Sequence, residues 1–265
     1  MGVCLNGHTG DGHSVVALGM FDGVHLGHRV LLKRAKALAK QQGVELVVST
    51  FSTHPMELIR PEQCPPMLTT LEERAERMRA LGVDVLEEKP FDRAVMDTPP
   101  EEFIAGLCKR FHPLFIVVGY NHTFGRRGEG DPRLLAALGE VFGYRAEVVP
   151  RITLEGREVS STVIRELLAR GEVDLARQMM EQPYQRLALV TGRQGEVAAL
   201  QATEDGKQGV APGLYRALFQ AQGRTWPGVL RAENQGVARA WLPGEIAPQS
   251  QVMVQYLHGR KSPGE

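Results

Sequence analysis

Residues 19–28 read GMFDGVHLGH. They join an apolar run over 14–21, SVVALGMF, to a pattern over 28–42 in which Leu31, Ala35, Leu38 and Ala39 recur at helical spacing before Gly43. An apolar run ending in glycine suits a buried strand, and a glycine after the last periodic residue suits a helix stop. The stretch thus reads as a strand, a glycine-rich turn and a helix start, the opening of a βαβ unit.

The same alternation continues outward. Residues 44–50 (VELVVST) form the next β-rich run. Thr70 and Glu73 make a capping-box pattern ahead of Leu71, Ala75, Met78 and Leu81, with Gly82 as the stop and 83–86 as a short strand. Thr98, Pro99 and Glu101 open a helix along Phe103, Leu107 and Phe111. A strand over 115–119, a helix from Asp131-Pro132 and a strand over 146–149 complete the series. Strands alternating with helices predict an α/β fold on a mostly parallel sheet, whose ligands bind beyond the carboxyl ends of the strands. After a short helix over 173–180 and Pro183, the texture changes at Tyr184. Short apolar runs (LALV, GLYRALF, WPGVL, ARAWL, VMVQYL) separated by turn residues predict a second, small antiparallel β domain, sandwich or barrel.

Bulk properties restrict the function. The chain has 265 residues, 43% hydrophobic and 23% charged, and a formal net charge of zero. No basic field argues for nucleic acid or an anionic membrane. Cys4, Cys64 and Cys108 are sparse and lack zinc-ligand spacing, which fits a reducing cytoplasm. No run of about 18 apolar residues predicts a membrane span. The first fourteen residues are polar and glycine-rich, read as a loose tail without a signal-peptide core, and Asn6 stands where myristoylation after Gly2 calls for Ser or Thr.

Two segments carry chemistry. In the first, His25 and His28 lie three apart near a helix N-terminus, where free N–H groups and the helix dipole favour an anion. Gly27 removes a side chain where a nucleotide approaches the backbone. The second, Ser160-Ser161-Thr162-Val-Ile-Arg165, opens a helix carrying Ile164, Leu167 and Leu168. A Ser N-cap, helix N–H groups and the Arg165 guanidinium make a triphosphate cradle.

HxGH followed by SSTxIR about 135 residues later resembles the adenylyltransferase domain of the prokaryotic FAD synthetases, usually bifunctional riboflavin kinase/FMN adenylyltransferases, within the HxGH nucleotidyltransferases. TFSTHP over 50–55, LTTLEE over 68–73, GYNHTFG over 119–125 and Pro183-Tyr184 agree in order. The resemblance implies a Rossmann-like adenylyltransferase domain over 1–184 and a degenerate kinase-like β-barrel over 185–265. It implies ATP and FMN as substrates and magnesium with the ATP, its protein ligands unknown. By the same resemblance His25, His28 and Arg165 are catalytic. Gly19, Phe21, Asp22, Gly27, Asn121, Ser160, Ser161 and Thr162 bind ATP, and His54, Pro55, Tyr120 and Phe124 bind FMN.

There are departures. Ser52 stands where the family usually has an acid, and Thr53 where it has proline. Kinase-domain fragments remain at Pro212-Gly-Leu-Tyr215, 226–229 and 252–260, but the Pro-Thr-Ala-Asn motif is absent. Glu233 and Glu245 are the acids left between Trp226 and the terminal strand, and neither matches the context of the kinase glutamate. The expected activity is therefore AMP transfer to FMN without riboflavin phosphorylation. The rivals are an HxGH transferase with another acceptor and a non-catalytic flavin- or nucleotide-binding regulator. Oligomeric state is not legible.

Overall fold

A computed structural model describes residues 3–4, 12–242 and 246–260. Most of the expected N-terminal tail, and Glu245, lie outside the described residues. Backbone contacts divide the chain into two compact units, residues 1–65 with 69–156, and residues 66–68 with 157–265.

The first unit contains β1 (Val3–Cys4), β2 (Ser14–Leu18), α1 (Leu26–Gln42), β3 (Glu45–Phe51), α2 (Pro55–Ile59), α3 (Leu71–Ala80), β4 (Val85–Lys89), α4 (Arg93–Asp97), α5 (Pro100–Phe111), β5 (Pro113–Gly119), α6 (Pro132–Phe142), β6 (Arg145–Val149) and β7 (Thr153–Leu154). The sheet order is β1-β4-β3-β2-β5-β6, with β2 to β6 parallel and β1 antiparallel at the edge of β4. Every residue of β2 is buried, as expected of a parallel strand covered on both faces. Its side chains alternate between two cores. Val15 and Ala17 pack with Leu31, Leu32, Ala35 and Leu38 of α1, whereas Val16 and Leu18 pack with Ile104, Leu107, Leu135 and Leu138 of α5 and α6.

Among the boundaries that differ from the sequence reading, two have clear local reasons. Helix α1 starts two residues earlier than the expected 28, because His25 caps it. Strand β4 starts later than 83–86, because Val83 still belongs to the end of α3: its N–H reaches Met78 O at 3.1 Å after Gly82 turns left-handed (φ 81°). The capping box on α3 forms as expected, Thr70 accepting from Glu73 N and Glu73 from Thr70 N.

Helix α3 also carries two buried arginines. Arg74, on the same stripe as Leu71, Ala75 and Met78, has no exposed surface. Its guanidinium donates to Met20 O (3.0 Å), Phe51 O (2.8 Å) and Glu88 Oε1 (2.9 Å), tying the ends of β2, β3 and β4. Arg77 donates to Gly23 O at 2.9 Å.

The second unit contains β8 (Arg157–Glu158), α7 (Ser161–Ala169), α8 (Val173–Met180), β9 (Tyr184–Gln194), β10 (Val197–Ala202), β11 (Gly213–Ala221), β12 (Arg224–Ala232), β13 (Val237–Trp241) and β14 (Gln251–Arg260). The last six strands close into an antiparallel barrel in the order β10-β13-β12-β11-β14-β9. Burial alternates along β9 and β11, with Tyr184, Ala188, Val190, Tyr215, Ala217 and Phe219 inward. Strand β10 was not foreseen; its AAL core lacks the period-two contrast that marks the others.

Arg74→Met should destabilise the chain by about 3–5 kcal/mol, because it leaves Glu88 and two carbonyls without their buried donor. Urea unfolding measures this, and a loss below about 1 kcal/mol would show that the tie is dispensable.

Candidate active site

Strand β2 lies between β3 and β5, so successive crossovers leave it in opposite directions. Open parallel sheets bind ligands at the carboxyl end of such a switch point. The segments that leave β2, β3 and β5 there are 19–28, 52–55 and 120–124, and they carry all the first-unit residues expected to bind substrate.

Loop 19–28 is tightly wound. Phe21 (φ 52°), Gly23 (φ 82°) and Val24 (φ 42°) are all left-handed. For Phe and the β-branched Val this conformation costs on the order of 1–3 kcal/mol each. The surroundings hold it. Phe21 and Val24 are fully buried, and a Cβ on Gly19 would come 3.2 Å from the Phe21 ring. Asp22 Oδ1 accepts from Thr69 N (3.1 Å) and Thr69 Oγ1 (3.2 Å), while Gly23 N donates to Thr69 Oγ1 (3.1 Å). Asp22 is thus a buried tie between the loop and the start of α3.

The tie aims the histidines. His25 is the N-cap of α1, and its Nδ1 accepts from His28 N at 3.4 Å. That places the proton of neutral His25 on Nε2. The His25 and His28 rings stack with centroids 3.6 Å apart, and Phe21 meets His28 edge-on at 5.2 Å. His28 Nδ1 is shielded from water and has no hydrogen-bond partner among the described residues. Burial, and next the repulsion that a charge on His28 would meet from a charged His25 and from Arg74, hold His28 well below the usual histidine range. It is neutral at pH 7. Gly27 lies in the first turn of α1, between His25 and His28 in sequence.

His54 repeats the device. It caps α2, with Nδ1 accepting from Met56 N at 3.1 Å and Pro55 at the first helical position. Beside it, Ser52 N bonds Lys89 O (2.7 Å) and Thr53 Oγ1 accepts from Phe91 N (3.0 Å). In the third loop Asn121 is exposed on a turn closed by His122 N to Gly119 O (3.1 Å). The Tyr120 ring lies under the Arg151 guanidinium at 5.0 Å. Phe124 is buried against Phe103, and its backbone pairs with Gly130. A Cβ on Gly130 would sit 2.6 Å from the Phe124 ring. Phe124 thus anchors this loop.

In the second unit Ser160 caps α7, its Oγ accepting from Val163 N at 3.3 Å. Ile164, Leu167 and Leu168 are buried, which leaves Ser161, Thr162 and Arg165 on the accessible side of the first turns. Arg165 Nε donates to Pro66 O at 2.6 Å, which orients the guanidinium.

Thr69, Arg74 and Arg77 were not foreseen as site residues. Two signals were present: Thr69 is the spare threonine beside a capping box that needs only Thr70, and Arg74 interrupts an apolar stripe.

His122 adds a titrating group. Its Nε2 is buried without a partner among the described residues, and burial lowers its pKa to about 4. The unfolded chain therefore binds the extra proton between about pH 6.5 and 4, and stability falls as pH drops through that window. His28 acts with the same sign. Between pH 7.5 and 5 the His122 contribution amounts to roughly 2 kcal/mol. His122→Phe should flatten the acid side of the stability profile by that amount in urea titrations. An unchanged profile would contradict the assignment.

The FAD synthetase family model matches residues 8–163. The bifunctional riboflavin kinase/FMN adenylyltransferase of Listeria monocytogenes serovar 1/2a is 35% identical over 175 residues, covering 66% of this chain and 55% of the relative. That of Bacillus subtilis strain 168 is 32% identical over 173 residues, covering 64% and 54%. That of Escherichia coli K12 is 32% identical over 171 residues, covering 64% and 55%. The chain spans about half the length of these curated relatives. Among solved structures, the crystal structure of a macrolide-efflux protein from Streptococcus pneumoniae has a TM-score of 0.84 at 25% identity and covers 95% of both chains. No described helix is long and apolar enough to cross a membrane. With an HxGH loop at the switch point of a parallel sheet and a family match over more than half its length, the chain belongs to the FAD synthetase family.

Proposed function

We propose that this chain transfers AMP from ATP to FMN, giving FAD and pyrophosphate, with residues 1–184 as the adenylyltransferase part and 185–265 as a kinase-like barrel without kinase activity. The observation that carries the reading is the pair of stacked histidines at the α1 N-terminus, one with a buried, unsatisfied ring nitrogen. A buried polar group without a partner costs about 1–3 kcal/mol. A phosphate chain arriving there brings acceptors for histidine N–H groups.

The attacking FMN phosphate is already anionic, so it needs neither a protein nucleophile nor a strong base. Its oxygen bonds to the α-phosphorus of ATP as the bond to the bridging oxygen breaks, and pyrophosphate carries the charge away. The work left to the protein is positioning and charge stabilisation. In this reading His25 Nε2, His28 and the α1 N-terminus donate to ATP phosphates. Ser160, Ser161 and Thr162 at the α7 N-terminus, with Arg165, neutralise the β- and γ-phosphates. Gly19, Phe21, Asp22 and Gly27 shape the loop, and Asn121 meets the nucleotide. His54, Pro55, Tyr120 and Phe124 form the flavin side. Magnesium is expected with the ATP, where it neutralises phosphate charge. Among the described residues no group of three or more His, Cys, Asp or Glu could hold a metal. Asp22, the acid of the HxGH loop, has one oxygen bound by Thr69. The residues do not build a metal site of their own, and no step is assigned to one.

The loss of kinase activity rests on the second unit. The stretch that should hold Pro-Thr-Ala-Asn instead forms the β9–β10 hairpin and its exit loop. Glu233 is half-buried and paired with Arg239 at 3.3 Å, so its carboxylate is already engaged, a poor state for a base that must activate a neutral ribityl hydroxyl.

Purified chain incubated with ATP, magnesium and either FMN or riboflavin should yield FAD from FMN and nothing from riboflavin, resolved by chromatography. His28→Ala and Arg165→Ala should each lower the FAD rate on the order of a hundredfold with little change in unfolding midpoint. FMN binding without FAD formation would favour a regulator. ATP-dependent FMN formation from riboflavin would overturn the reading of the barrel.

A further inference from the structure

The barrel interior contains an arginine at a position its alternation reserves for apolar side chains. Along β9 the inward residues are Tyr184, Arg186, Ala188 and Val190, and Arg186 is only 9% exposed. Burying a guanidinium is costly unless its donors and charge are met. Arg186 is met in part. One terminal nitrogen donates to Glu204 O at 2.8 Å. Its Nε lies 3.8 Å from Glu204 Oε2, beyond hydrogen-bond reach, and is buried without a hydrogen-bond partner. The Glu204 carboxylate is also shared, accepting from Leu187 N at 2.8 Å and pairing with Lys207 at 3.1 Å.

Arg186 lines a cavity of about 300 Å³ together with Ala202, Ala232, Asn234, Ala238 and Tyr256. That volume is at the lower end of small-molecule sites, roughly 300–1,000 Å³. The space exists because three inward positions at this end of the barrel are alanines, where bulkier residues would fill it. Burial raises the Tyr256 phenol above its ordinary range, so the hydroxyl stays protonated and can donate. Glu233 also lines the cavity, and its carboxylate is paired with Arg239 at 3.3 Å. The lining therefore combines a cation, neutral donors and apolar walls with one carboxylate, Glu233, whose charge is met by Arg239.

We propose that the barrel cavity binds a small organic anion, a carboxylate or phosphate carried on a compact apolar body, through Arg186. This site is independent of the adenylyl-transfer reading, since none of its residues has a role in that reaction.

Calorimetric titration of the full chain tests it with benzoate, with inorganic phosphate and with benzamide as the neutral match for benzoate. The expected result is saturable binding of benzoate or phosphate and none of benzamide. Arg186→Met should weaken the anion at least about tenfold, the loss of one charge-assisted contact. Because that variant also disturbs Glu204, Ala238→Leu provides a second probe: it fills the cavity from β13 and leaves Arg186 in place, and it should abolish binding with the circular dichroism spectrum unchanged. Failure of both anions to bind, equal binding of benzamide, or full anion binding by Ala238→Leu would overturn the proposal.

Discussion

The Arg74 guanidinium sits beneath the carboxyl ends of three neighbouring strands and donates to Met20 O, Phe51 O and Glu88. A parallel sheet leaves carbonyls unpaired where its strands end, and such groups must find donors when buried. One planar cation with several fixed donors meets that need at three strands together. Arg77 extends the same helix face to Gly23 O, and Thr69 closes on Asp22 and Gly23. The left-handed Phe21 and Val24 persist because these contacts and the core over-determine the loop. The histidine pair inherits its position from them.

The chemistry proposed for the site follows from how neutral imidazoles are used. His25 and His54 each spend Nδ1 on a helix-capping bond, which turns Nε2 into the donor. His28 is kept neutral by burial and by the repulsion that a proton on it would meet from Arg74 and from any charge on His25. Polarised N–H donors set by backbone geometry suit a reaction whose nucleophile is charged from the start and whose burden is developing charge on phosphate oxygens.

Much of this was legible in the residues. The run over 14–18, the glycine-rich turn and the stripe Leu31, Ala35, Leu38, Ala39 announce strand, loop and helix because period and punctuation agree. The Thr70–Glu73 box and the Asp131 cap were equally explicit. The left-handed Phe21 and Val24 were not, since neither residue type favours that conformation and only tertiary contacts impose it. Arg74 was visible as an anomaly in an apolar stripe, yet its three partners come from strands far apart in sequence. Strand β10 escaped because alanines do not distinguish inside from outside. The grouping of α7 and α8 with the barrel depends on long-range contacts that local pattern does not encode.

The second unit keeps a closed barrel while its sequence departs from the kinase pattern. Closure needs inward apolar alternation and paired edges, not a reacting group. The central claim concerns the first unit: that α3 positions the histidine loop for transfer. The rate of FAD formation by Arg77→Met tests it most directly, because this change removes the bond to Gly23 O and leaves His25, His28 and the Arg74 tie intact. The account predicts that kcat/KM falls on the order of a hundredfold, as expected when reacting groups shift by about 1 Å. A value within about twofold of the parent would contradict it.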